Sequence, residues 1–147
     1  MFFIYFEKLL KSIFLHSPRE TFTLSLFGFD LTKQKEFKEA DIIHIHWLSQ
    51  GFIKLNSLSK IKKPIIWTMR DEWPYTGGSH YKFDFEKYEK GFISNIMQNY
   101  KKKIYKTNFQ FVAVSNWLKT RAINSSVLKG RDILKIDNNI EIKDFKI

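Results

Sequence analysis

The stretch Lys63–Tyr81, KPIIWTMRDEWPYTGGSHY, decides the fold. It opens on an apolar run, Pro64-Ile65-Ile66-Trp67-Thr68-Met69, and changes character at Arg70-Asp71. From Glu72 to Tyr81 it is polar, aromatic and glycine-rich. A short run of β-branched and aromatic residues bounded by such a loop reads as a buried strand. Open α/β sheets present their binding groups in this way, in loops at the carboxyl ends of strands.

Working upstream, Ile42-Ile43-His44-Ile45-His46-Trp47 is a second apolar run of strand type. Between the two, Gly51–Ile61 places Phe52, Leu55, Leu58 and Ile61 three apart, on one face of a helix that Lys62-Lys63-Pro64 ends. Strand, helix, strand over residues 42–69 is a βαβ unit, which predicts parallel strands. Further upstream, Thr21–Phe29 alternates Phe22, Leu24 and Leu26 with Thr21, Thr23 and Ser25, the period of an extended segment or an edge strand. Asp30-Leu31-Thr32 can start a short helical turn, and residues 33–39 are highly charged and exposed. Residues 2–15 put Phe2, Phe3, Phe6, Leu9, Leu10, Ile13 and Phe14 at helical spacing, and His16–Glu20 breaks the pattern. That amphipathic helix either docks on a sheet or lies in a membrane interface, for which Phe and Lys are suitable residues.

Downstream, the chain is helical from about Ile93 to Lys106. Phe109–Val114 is a third strand, with Ser115-Asn116 at once after it and a helix over Trp117–Asn124. Either Ser115 or Asn116 can cap that helix, because each side chain accepts from a free backbone N–H. Ile133–Ile136 is a short fourth strand. The pattern predicts an α/β fold with a mainly parallel sheet of about four strands and flanking helices. The domain division is an amphipathic helix and turn over residues 1–20, then one domain over residues 21–147.

Composition narrows the function classes. At 147 residues the chain suffices for one core, and 44% hydrophobic with 17% aromatic content excludes a disordered chain. There is no cysteine, hence no disulfide and no thiolate metal site. His16, His44, His46 and His80 lack zinc-motif spacing, so no metal is expected. The net charge of +10 suits a polyanion, an anionic membrane surface or a phosphorylated substrate. Part of it is the run Lys101-Lys102-Lys103, read as a solvated helix face. No recognition motif accompanies the charge, so nucleic acid is not expected as a partner.

Three strand ends carry candidate site residues. His44 and His46 share a face by alternation, and His46 lies nearer the end. A histidine in a buried strand is commonly a hydrogen-bonded core residue instead. Arg70 beside Asp71 can hold a phosphate or sugar hydroxyls, or form an internal ion pair that anchors the loop. Asp71 is a candidate general base and His80 the best titratable group of the loop. Trp73 and Tyr75 offer flat faces for sugar stacking, or pack the loop. Gly77-Gly78 lets backbone approach a ligand, or permits a turn with positive φ. At the third end, backbone N–H groups around Ser115 and Asn116 could meet an anion. None of these features is specific alone.

Together they resemble a known family. The runs ADIIHIHW, KKPIIWTMRDEWPYTGGSHY and FVAVSNWL, with Asn139–Phe145 after them, are similar to the N-terminal half of glycosyltransferase family 4. The likeness is to bacterial transferases of capsule, O-antigen or colanic-acid type. It covers residues 22–146, and the TGGxHY loop is its most specific part. It implies the GT-B architecture, two Rossmann-like domains across a cleft, with retaining sugar transfer from a nucleotide-sugar and no bound metal or other cofactor. On that likeness Asp71 and His80 are catalytic. His46, Arg70, Trp73, Tyr75, Thr76, Gly77, Gly78, Tyr81, Ser115 and Asn116 line the side that receives a sugar or lipid-linked glycan acceptor. The family's opening strand and Gly-rich turn do not appear before Thr21, and its donor-binding domain, with a paired-glutamate signature, is absent. The family's loop cysteine is Ser79 here. The resemblance therefore implies an incomplete acceptor-side domain, inactive alone and meeting a nucleotide-sugar only if a donor domain is supplied elsewhere. The location it implies is cytoplasmic, with possible peripheral contact on the inner face of the membrane. The alternative reading is a non-catalytic basic module on an anionic membrane surface or a lipid-phosphate acceptor.

Overall fold

The computed structural model describes Tyr5 and residues 22–49, 51–81, 91–106 and 108–139. The amphipathic helix expected at residues 2–15 and most of the Asn139–Phe145 segment lie outside them. Four parallel strands form one sheet: β1 (Ile43–Ile45), β2 (Ile65–Met69), β3 (Phe109–Ala113) and β4 (Ile133–Lys135), in the order β1-β2-β3-β4. Each connection moves one place along the sheet in the same direction. The helices are α1 (Lys35–Glu39), α2 (Phe92–Ile104) and α3 (Asn116–Ile123), joined by short 3-10 turns. This is the α/β architecture that the alternation of elements predicts, and it is consistent with the Rossmann-like fragment that the resemblance implies.

The register explains why these runs are strands. Ile43 pairs with Ile65, Ile45 with Trp67, Trp67 with Phe111 and Phe111 with Ile133. These residues, with Met69, Phe109 and Ala113, form one continuous buried face. Leu55, Leu58, Met97, Ile104, Leu118 and Ala122 from the connections belong to the same core. Trp67 lies at its centre, stacked on Phe111 at 6.0 Å and edge-on to Tyr105 at 5.6 Å. Of the residues of opposite parity, His44 and Leu134 are exposed, Ile66, Thr68 and Gln110 half-buried and Val112 buried.

Three expectations are corrected. The connection at Gly51–Ile61 is a 3-10 helix, Leu55–Lys60, rather than an α-helix. Its apolar residues recur every third position, and three residues per turn is the 3-10 repeat. Leu55, Leu58 and Ile61 are accordingly buried while Phe52, ahead of the helix, is exposed. Of the two readings of Thr21–Phe29, the edge strand is not formed: residues 22–29 join no sheet among the described residues and make isolated bridges, Phe22 to Ser79 and Phe29 to Ile53. The segment's polar positions turn inward, because hydrogen bonds tie it to loops instead of a strand. The Thr23 N–H donates to Gly78 O at 2.9 Å, and Ser25 O accepts from Leu55 N at 2.9 Å. Finally, Lys101 is buried, whereas Lys102 and Lys103 are exposed, so the lysine run is not wholly a solvated face.

Ser25 combines two unfavourable features. Its φ of 51° is in the left-handed region, and its buried hydroxyl has no hydrogen-bond partner among the described residues. Glycine removes both at the expense of unfolded-state entropy. Ser25→Gly is expected to stabilise the fold by about 1 kcal/mol, read as a higher denaturation midpoint. A fall in midpoint would show that the hydroxyl has a use.

Candidate functional site

β2 delivers the central loop. After Met69 the chain turns inward, and Glu72 through His80 are all buried. Trp73–Tyr75 forms one 3-10 turn with Pro74 near its start, where a missing N–H is tolerated. The loop closes on itself: the Glu72 N–H donates to His80 O at 2.9 Å, and the Thr76 hydroxyl donates to Ser79 O at 2.5 Å. The glycines serve close packing against the chain itself. A Cβ on Gly77 would lie 2.4 Å from Ser94 Cα in α2. Gly78 has φ of +147°, and a Cβ there would lie 2.6 Å from the Phe22 ring.

Within this loop Asp71 and His80 meet. Asp71 Oδ2 is 2.5 Å from His80 Nδ1, and its Oδ1 accepts the Trp73 N–H at 3.0 Å. A carboxylate only accepts, so Nδ1 carries the proton and Nε2 faces the Thr23 hydroxyl, 3.2 Å away. The chain carboxylate, imidazole, hydroxyl orients the ring and fixes its tautomer, as a proton-accepting histidine needs. Thr23 thus covers Nε2, the nitrogen that Asp71 leaves without a proton.

Arg70 and Asp71 do not act as one pair. The Arg70 guanidinium donates to Asn138 Oδ1 at 2.7 Å, beyond the end of β4, while Asp71 turns to His80. His44 pairs with Thr68 at 2.9 Å, and its ring lies 4.2 Å from that of His46. Partial desolvation, then the charges of His44 and Arg70, hold His46 below the ordinary imidazole range. His46 and Arg70 thus form a second group at the carboxyl ends of the strands. Ser115, not Asn116, caps α3: its hydroxyl accepts the Leu118 N–H at 3.2 Å. Asn116 and Tyr81 are exposed.

Of the two uses open to Trp73 and Tyr75, sugar stacking and packing of the loop, the structure shows the packing. Trp73 is 2% exposed and its indole N–H donates to Thr23 O at 2.8 Å. Tyr75 is buried and its hydroxyl donates to Glu72 Oε1 at 3.1 Å. Burial first, then the Glu72 charge, pushes this phenol well above its ordinary range, so it stays a neutral donor. Both rings bury large apolar area, which explains their inward position.

Sequence reasoning missed three residues. Glu72 is fully buried and accepts from Arg121 Nε at 2.5 Å. That contact raises the Arg121 pKa further, and the guanidinium also lies 5.1 Å from the Trp117 ring. Lys101 is fully buried; its ammonium donates to Trp73 O at 2.5 Å and Thr76 O at 2.9 Å and sits 3.6 Å from the centre of the Trp73 ring. A signal for Lys101 existed: Ser94, Met97, Lys101 and Ile104 follow 3-4-3 helical spacing and all are buried. Nothing in the sequence marks Glu72 or Arg121 as partners.

Among the described residues no group of three or more His, Asp or Glu side chains is placed to hold a metal ion. No described helix is long and apolar enough to cross a membrane. No protein-family model, curated protein or solved structure matches the chain.

Proposed function

We propose that this chain is an acceptor-side domain of the glycosyltransferase family 4 type. In this reading it presents a sugar or lipid-linked glycan to a nucleotide-sugar held by a donor-binding domain. The supporting observation is the 2.5 Å contact between Asp71 and His80, nine residues apart in the loop, beyond the carboxyl end of β2. An acceptor hydroxyl must lose a proton as the glycosidic bond forms, and a carboxylate-oriented imidazole can receive it. His46 and Arg70, past the ends of β1 and β2, would meet the more anionic part of a lipid-phosphate acceptor.

The test is binding of glycans carried on lipid phosphate, in neutral nanodiscs, by the purified chain. The wild type is expected to bind, and His80→Ala and Asp71→Asn to weaken binding at least about tenfold, the scale of a charge-assisted hydrogen bond. Absence of glycan-dependent binding would overturn the reading. Salt-sensitive binding to anionic vesicles that ignores the glycan would instead favour the basic membrane-surface module, which rests on the +10 charge.

A further inference from the structure

Behind the central loop lies a cavity of about 590 Å³ that neither Asp71 nor His80 lines. Its size is within the usual range for small-molecule sites. Glu72 and Tyr75 come to it from the loop, and Arg121 from α3. These three form a compensated group: the carboxylate is paired with the guanidinium and accepts the phenol O–H. Around them the walls are amides and hydroxyls. α2 contributes Asn95 and Gln98, and α3 and its cap contribute Thr120 and Asn124.

The lining selects a ligand class. None of the described residues that line the cavity is Leu, Ile, Val, Met or Phe, and its apolar surface comes from Tyr75 and the carbon atoms of polar side chains. No lysine of the described residues lines it, and the one arginine among them is paired with Glu72, so the described lining offers no unpaired cation to a phosphate. Gln98 is held in place: its amide donates to Ser94 Oγ at 3.0 Å and its carbonyl accepts from the Ser126 hydroxyl. Among the described residues none satisfies the side chains of Asn95, Thr120 and Asn124, which stand exposed around the cavity. Two amides and a hydroxyl offer donors and acceptors together, matching a ligand whose surface is hydroxyl groups, each both donor and acceptor.

We propose that this cavity between the central loop, α2 and α3 is a binding site for a neutral carbohydrate, a mono- or disaccharide unit, separate from the Asp71–His80 pair. The inference stands on the cavity and does not rest on the transferase reading. Tyr75 and Thr76, singled out by the family resemblance, line it. In a chain that handles glycans, such a site would hold a sugar unit away from the reacting end.

The experiment is ligand-observed NMR and calorimetry on the 147-residue chain, with lactose, maltose and N,N′-diacetylchitobiose as probes. At least one is expected to bind and to shift the side-chain amide signals of Asn95 and Asn124. The double variant T120A/N124A, both positions exposed, is expected to weaken that binding about tenfold or more while leaving the thermal midpoint in place. Asp71→Asn is expected to leave it within about twofold, since Asp71 does not line the cavity. No binding of any probe at tens of millimolar would overturn the proposal, as would binding that survives T120A/N124A or falls only with Asp71→Asn. Should T120A/N124A fail to fold, the amide shifts of the wild type decide alone. Loss of lipid-linked glycan binding in Asp71→Asn is scored separately, so the two readings can fail independently.

Discussion

Replacing Gly77 by alanine is expected to destabilise the fold by about 3 kcal/mol, the upper end of the range for an overpacked site. The cause is contact, not backbone angle. A Cβ at Gly77 would stand 2.0 Å from Ser94 Oγ, 2.4 Å from Ser94 Cα and 2.5 Å from Ser94 Cβ. The hydroxyl can rotate away, but the Cα is part of α2, and moving it means moving the helix. α2 also supplies Met97 and Ile104 to the core and Lys101 to the loop, so the shift disturbs three contacts at once. Gly130→Ala is the matched control: φ there is +81° but no atom lies within 4 Å of the added carbon. Its penalty is the left-handed strain alone, about 1 kcal/mol. Denaturant midpoints of the two variants should differ in that order. A Gly77→Ala protein as stable as Gly130→Ala would mean that the loop does not press against α2.

Lys101→Ala is expected to be at least as severe, at about 3–5 kcal/mol. The side chain is fully buried, and its removal leaves a cavity beneath the loop. It also deprives the carbonyls of Trp73 and Thr76 of an ammonium donor and the Trp73 face of its cation. Lys101→Met fills most of the volume without replacing the donor. It is expected to recover part of the loss, so the difference between the two variants separates packing from hydrogen bonding. Fluorescence of the loop tryptophan, Trp73, should report loosening before global unfolding. If Lys101→Ala unfolds at the wild-type denaturant concentration, the ammonium is not the strut that holds the loop.

These two residues show how far a sequence can be read here. The paired glycines were visible, and two uses were open for them, a ligand's approach or a turn. The fold adds a third that no local pattern encodes, the near contact of residues 77 and 94. Lys101 sits in a run of three identical residues whose chemistry is the same. Only the docking of α2 on the loop decides which lysine leaves water, although its place between Met97 and Ile104 on the apolar stripe was there to be read. The pair Asp71 and His80 could be picked as candidates by type and position in one loop. Their contact depends on the closure of the loop by the Glu72 N–H and His80 O bond, and Thr23 joins them from 57 residues away in sequence from His80.

The strands were the legible part, and for a physical reason. Ile65–Met69, Phe109–Ala113 and Ile133–Lys135 are short and apolar, and the βαβ rhythm restricts them to a parallel sheet. Alternation of side chains and the three-residue recurrence of Leu55, Leu58 and Ile61 are local properties that the chain carries before it folds. The Thr21–Phe29 segment had a strand's alternation yet became a tie between loops, because its hydrogen bonds go to Gly78 and Leu55. Sequence alone therefore determined the α/β class, the four strands and the loop at the end of β2. Tertiary structure alone decided that Trp73 and Tyr75 face inward, that Glu72 pairs with Arg121, and that the loop has a cavity behind it. Local patterns fix which backbone shapes are favourable. Burial of a charge or a ring is favourable only once a distant partner has arrived to meet it.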